Sequence, residues 1–317
     1  MKYFKSEKQF EPHVRVRKWF YRIVFWTLSL LILLALLRNT DWAFTFSQLL
    51  NIPSAVLLVC TFGWLCSFLF RAIRFKSEWH QFGNITMASA LRLAFLHNAA
   101  VVLVPFRVGE LGYPVLVRQL VNASWQQCIR SLLWLRFQDG VVLLVLAFLM
   151  LPFFSPALRI AFLLSALVLL LVFKPWWIRL LRTRHFFMRQ LRAFLHQRSN
   201  AWGWFWSVAN WTIKILVISL MLQNLTGLQS MQTLHGALTG ELSALLPLTG
   251  PAGFGTYEAG VWTGLGLPWQ DIKGFMASIF LTHLFFLTIS LMGAGLVMCL
   301  EVFDWYPIHS PQEHLHG

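Results

Sequence analysis

The chain has 317 residues, 57% hydrophobic and 12% charged, whereas soluble domains carry roughly 25% charged residues. That composition excludes a soluble globular enzyme. The only long polar stretches are the first 22 residues, about 174–200 and a short tail, which leaves no length for a separate soluble catalytic domain. The formal charge of +14 is lopsided: seven Lys/Arg lie between Lys2 and Arg22, seven more between Lys174 and Arg198, and after Arg198 only Lys214 and Lys273 remain. Short loops rich in Lys/Arg stay cytoplasmic, so the charge marks topology and not a nucleic-acid partner.

The expected order is a basic cytoplasmic leader (1–20), a transmembrane domain (21–300) and a polar tail (301–317). A first span over about 21–37 follows the leader. Asn39-Thr40-Asp41-Trp42 comes next instead of a small-residue cleavage site, so this run reads as a retained anchor. A second span, about 53–73, returns to the cytoplasmic basic patch Arg71, Arg74, Lys76. Residues about 88–104 enter the membrane, break at Pro105 and re-emerge over about 108–121. Spans at about 129–151 and 157–173 follow, joined by Pro152-Phe153-Phe154-Ser155-Pro156, and the second basic connection comes next.

Trp202, Trp204, Trp206 and Trp211 open a span over about 203–223, as expected for aromatic anchors at an interface. A second broken pair, about 234–246 and 256–267, and a last span, about 275–299, complete the chain. The expected fold is therefore all-α: a polytopic membrane helical bundle of six full spans and two re-entrant hairpins. The first hairpin enters from the cytoplasm and the second from outside, which makes an inverted repeat with its site near the midplane. Irregular backbone at that depth is tolerated only inside protein or along a cavity.

The charges at the breaks are the candidate site, because an ionisable residue inside a membrane is a functional candidate by default. Arg107 and Glu110 are three apart and share a helical face, as do Arg136 and Asp139; Arg118 lies two turns further on. These residues read either as a structural charge network or as an arginine-lined phosphate seat, since guanidinium matches phosphate oxygens in a bidentate fork. Gly109 belongs to the first break. Pro247, Gly250, Gly253 and Gly255 form the second, flanked by Glu241 and Glu258. Lys214 is the expected partner of those two glutamates, with His283 a lesser candidate. Helices restarting after each break would offer free N–H groups to an anion.

Cys60, Cys66, Cys128 and Cys299 have no metal-ligand spacing and read as small hydrophobes. Neither a dinucleotide fingerprint nor a Gly-x-x-x-x-Gly-Lys-Ser/Thr loop occurs, so no cofactor is expected and no metal site is assigned.

The Pro-x-Arg-x-Gly-Glu run at 105–110, with Arg118 downstream and Arg136-x-x-Asp139 in the next span, resembles the lysylphosphatidylglycerol synthase transmembrane-region family. The element from Pro247 through Gly253-Phe254-Gly255-Thr256-Tyr257-Glu258 is similar to that family's Pro-Gly-Gly-x-Gly-x-x-Glu signature. The chain departs from the pattern at three places. Leu135 stands where a Glu is usual, His283 where the last span commonly has Arg, and Pro251-Ala252 where Gly-Gly is usual.

The resemblance implies a flippase-like protein. The family includes the half of multiple peptide resistance factors that moves aminoacylated phosphatidylglycerol, and stand-alone members linked to polyprenyl-phosphate glycan pathways. The synthase activity belongs to a separate aminoacyltransferase domain. The expectation is a multi-pass protein of a bacterial-type inner membrane that translocates a phosphate-bearing lipid and is not itself an enzyme. Its partners would be membrane lipids and a lipid-modifying enzyme. A membrane enzyme acting on polyprenyl-phosphate-linked sugars, or a scaffold for a lipid synthase, are the alternatives.

Overall fold

The computed structural model describes residues 47–48, 50–80, 85–104, 108–121, 123–150, 155–172, 201–246 and 250–302. The expected first span, the two basic segments, the polar tail, and Pro105, Arg107 and Pro247 lie outside the described residues. Among the described residues the secondary structure is helical, with no strand.

The described residues contain nine α-helices in order: α1 (Ser54–Trp79), α2 (Met87–Leu103), α3 (Gly112–Leu120), α4 (Trp125–Leu149), α5 (Pro156–Val172), α6 (Ala201–Thr226), α7 (Ser230–Ser243), α8 (Thr256–Leu265) and α9 (Ile272–Val302). Short 3₁₀ turns at Val108–Leu111 and Pro251–Gly253 precede α3 and α8. Helices α1, α4, α6 and α9 are long and apolar enough to cross a membrane; the 26 residues of α1 alone span about 39 Å. Helix α5, expected as a full span, has 17 described residues and falls short of that length.

Local chemistry sets several boundaries. The Thr86 hydroxyl accepts from the Ser89 N–H to start α2. Ser124 and Gln127 form a reciprocal capping box at α4, satisfying two of the free N–H groups that every helix start leaves. Gly266, in the left-handed region at φ 65°, closes α8.

Helices α1 and α6 pack along most of their length and run antiparallel. Cys60 Sγ donates to the Val217 carbonyl at one end, while Phe70 meets Trp206 at the other. Gly63 lets Val217 and Ile213 approach the α1 backbone. Between this pair and the outer helices α4 and α9 lie two hairpins. In the first, α3 folds back so that Tyr113 reaches Trp79 and Ser131, near the C-terminal end of α1. In the second, the start of α7 sits at the opposite end, where the ring of His235 meets the Met150 carbonyl. The sequence of long helix, hairpin, long helix thus occurs twice, and the residues flanking the two breaks, Val104 and Gly250, line one cavity.

The second hairpin is built on glycine. Gly236 and Gly240 on α7 face α8, and Gly260 and Gly264 on α8 face α7; a Cβ at Gly260 would lie 2.7 Å from the Thr239 carbonyl oxygen. Small residues four apart on both helices allow this close approach.

Candidate functional site

Two polar centres sit inside the apolar bundle. The first joins α1, α4 and α6. Asp139 is buried and its Oδ1 accepts from Arg74 Nη1 at 2.6 Å, Trp211 Nε1 at 2.9 Å and Ser207 Oγ at 3.0 Å. Arg74 Nη2 also donates to the Leu135 carbonyl and to Gln138 Oε1. Three helices therefore converge on one carboxylate, which compensates the buried guanidinium.

Arg136 extends this centre to the first hairpin. Its Nε and Nη2 bind Glu110 Oε2 at 2.8 and 2.5 Å, and Nη1 lies 3.6 Å from Asp139 Oδ2. His97 Nε2 is 3.2 Å from Arg136 Nη2. Glu110 thus pairs with Arg136, 26 positions on; Arg107, its expected partner, lies outside the described residues. Gly109 packs so closely on the Ala100 carbonyl that no Cβ would fit. Arg118 does not join the network; its guanidinium covers the Trp125 ring at 4.6 Å, at the end of the hairpin away from its tip.

Arg74 corrects the expected basic surface patch: the residue is 4% exposed and is the main partner of Asp139. Arg71 beside it hydrogen-bonds Asn98 Oδ1 and lies over the Phe68 ring. Residues that resemble topological charges therefore belong to the interior. The available signal was their spacing: in a 26-residue apolar helix, Arg71 lies four residues and Arg74 seven residues after the buried Ser67, on the same face.

The second centre is formed by α6, α7, α8 and α9. Lys214 Nζ binds Glu241 Oε2 at 3.0 Å, both residues buried. The ammonium also lies 4.7 Å from the ring centroids of both Trp64 and Trp211, an aromatic flank that favours a cation. The expected pairing of Lys214 holds for Glu241 and not for Glu258. Glu258, 1% exposed, accepts from His283 Nδ1 at 2.6 Å and from the Gly255 N–H at 2.6 Å. The carboxylate thereby caps α8 and fixes the imidazole. His283 is packed by Tyr257 and Phe254, with ring centroids 4.4 and 4.8 Å away. Gly253 and Gly255 adopt φ of 85° and 84°, which a glycine reaches without a Cβ penalty; Ala252 adopts the same left-handed region at φ 54°.

A cavity of about 170 Å³ lies where the hairpin tips meet. The last turn of α2 supplies one wall, with Asn98 and Val102. The second break and the start of α8 supply the facing wall, with Gly253 and Thr256. Lys214, Glu241 and His283 line it together with Trp64 and Tyr257. Arg136, Glu110 and Asp139 do not line it. The geometry therefore divides the expected site residues: Lys214, Glu241 and Gly253 line the cavity with Glu258 behind His283, while Glu110, Arg136 and Asp139 bind one another beside it.

Over residues 20–293 the chain matches the family model described as the lysylphosphatidylglycerol synthase TM region. No curated protein and no solved structure matches it. With a match that covers most of its length, and with four helices fit to cross a membrane, the chain belongs to the lysylphosphatidylglycerol synthase transmembrane-region family.

Proposed function

We propose that this protein translocates a phosphate-bearing lipid across a bacterial-type inner membrane, and that the cavity between the hairpin tips receives the head group. The observation that carries this reading is a cavity inside an apolar bundle that is lined by a lysine, a glutamate and a histidine, the histidine held from behind by a second, buried glutamate. Charge at such depth is costly and marks substrate pathways. The start of α8 adds the positive end of a helix dipole.

The antiparallel α1 and α6, with hairpins opening at opposite ends, support an inverted repeat of two span–hairpin–span units. Lys76, Arg92, Arg118 and Arg130 gather at the end where the first hairpin opens, which favours that end, and the leader, as cytoplasmic. In this reading the phosphate replaces Glu241 on Lys214, and rocking of one repeat against the other exposes the cavity to each leaflet in turn. Asp139, Arg74, Arg136 and Glu110 hold the first hairpin to its repeat during that motion. A lipid-modifying enzyme would supply the substrate on the cytoplasmic side.

The test is movement of fluorescent phosphatidylglycerol between leaflets of proteoliposomes, read by quenching from outside. Replacing one partner of a buried ion pair costs about 3–5 kcal/mol, whereas a neutral pair restores balance. The double variant Lys214→Gln/Glu241→Gln is therefore expected to fold and to lose transport at least tenfold. Wild-type transport by that double variant rules out the cavity as the lipid path.

A further inference from the structure

Among the described residues, the ring of His283 is held by a hydrogen bond from one side only. Its Nδ1 binds the Glu258 carboxylate, which is itself anchored by the Gly255 N–H. The other edge faces the cavity, beside the glycine turn: a Cβ built on Gly253 would lie 3.6 Å from Cε1 and 3.8 Å from Nε2. A carboxylate on Nδ1 fixes the tautomer of an imidazole, with the proton on Nδ1 and the lone pair on Nε2. Neutral His283 therefore presents an acceptor to the cavity. Once Nε2 takes a proton, the same atom becomes a donor and the ring becomes a cation.

A phosphodiester head group has oxygens that only accept. It is repelled by the neutral ring and matched by the protonated one, across the cavity from Lys214. We propose that the His283–Glu258 dyad makes capture of a phosphodiester lipid proton-linked, with one proton taken up on His283 Nε2 as the head group binds and returned to water as it leaves. This rests on the translocase reading and adds its coupling ion. It also gives Glu258 a task distinct from that of Glu241: the first sets the histidine, the second competes with the substrate for the lysine.

Among the described residues the other ionisable groups facing the ring are few. Helix α8 contributes Glu258 and Tyr257, α7 contributes Glu241 and α6 contributes Lys214, while α1 and α2 present Trp64 and Asn98, which do not titrate. Histidine is the side-chain type whose charge changes near neutral pH, and a phosphodiester keeps its single charge throughout that range. A pH dependence of binding thus reports on the protein and not on the lipid.

Binding of a soluble short-chain phosphatidylglycerol to the detergent-purified full chain is to be titrated between about pH 5.5 and 8.5. The expected result is a dissociation constant that rises toward tenfold per pH unit at the alkaline end. In His283→Gln, whose amide is a donor at every pH, the slope disappears while binding persists. Binding by the wild type that is independent of pH, or a slope that survives in His283→Gln, overturns the dyad but leaves the translocase reading intact. Absence of binding at any pH overturns both. Thermal unfolding of each variant identifies any that fails to fold, and for such a variant His283→Asn gives the same decision.

Discussion

The two hairpins occupy corresponding places in the chain and differ in what ties them to the bundle, although the first also has one close backbone approach, Gly109 against the Ala100 carbonyl. The first is tied by charge: Glu110 reaches across to Arg136, and Tyr113 bonds Ser131 while accepting from Trp79. The second is tied by backbone approach, with Gly236 and Gly240 against Val261, Leu265 and Tyr257, and Gly260 and Gly264 against Thr239 and His235. Ionic ties are directional and can be exchanged, while close-packed small residues fix two helices as one body. The comparison teaches where the charges are available. At the first hairpin they satisfy each other, and at the second Glu241, with Lys214 and His283, lines the cavity.

The largest expected break in this picture is at Asp139. Asp139→Asn leaves the buried Arg74 without its carboxylate, and loss of one partner in such a pair costs about 3–5 kcal/mol. Glu110→Gln is expected to cost about 1 kcal/mol or less, because the Arg136 side chain is 33% exposed and keeps Asp139 within 3.6 Å. Thermal unfolding in detergent measures both. Equal losses would mean that the first hairpin is bolted to the bundle as firmly as α1 is to α4.

The next effect belongs to the second hairpin. Gly264→Ala drives a methyl into Thr239 and the His235 carbonyl, and such overpacking costs about 1–3 kcal/mol. Gly140→Ala meets nothing within 4 Å on α4 and is expected to be neutral or to stabilise by less than about 1 kcal/mol. If Gly264→Ala is as silent as Gly140→Ala, the glycine contact does not hold α7 to α8.

Much of this arrangement was legible from the chain. Apolar length located the long helices, and the two Pro–Gly clusters located the breaks. Lys214 stood out as one of two cations after Arg198, so its pairing with Glu241 followed from scarcity. The first polar centre was less legible because local spacing sees only Arg136 and Asp139, three apart. The closer partner, Arg74, lies 65 positions away and comes into reach only when α1 and α4 both pack on α6. Arg118 failed for the converse reason: sequence proximity to the break placed it in the site, whereas the fold-back of α3 carries it to Trp125. The glycine seam carried a usable signal, since Gly236/Gly240 and Gly260/Gly264 repeat a four-residue spacing in adjacent short helices.

The smallest predicted effect tests the cavity wall itself, at two neighbours that share a backbone conformation but not a side chain. Ala252 has φ 54° and Gly253 has φ 85°. An L-residue in the left-handed region costs roughly 1–2 kcal/mol, while an added glycine returns about 0.4–1 kcal/mol to the unfolded chain. Ala252→Gly is therefore expected to stabilise the protein by about 0.5 kcal/mol, the difference of those two terms. Gly253→Ala reverses the sign and loses about 1 kcal/mol, through the backbone alone, because its Cβ would meet the His283 ring at an ordinary 3.6 Å. Opposite signs in thermal unfolding would locate the strain in the turn. A loss at both positions would instead mean that the Ala252 methyl packs productively at the cavity rim, and that this tip, unlike the charged tip of the first hairpin, is shaped by contact.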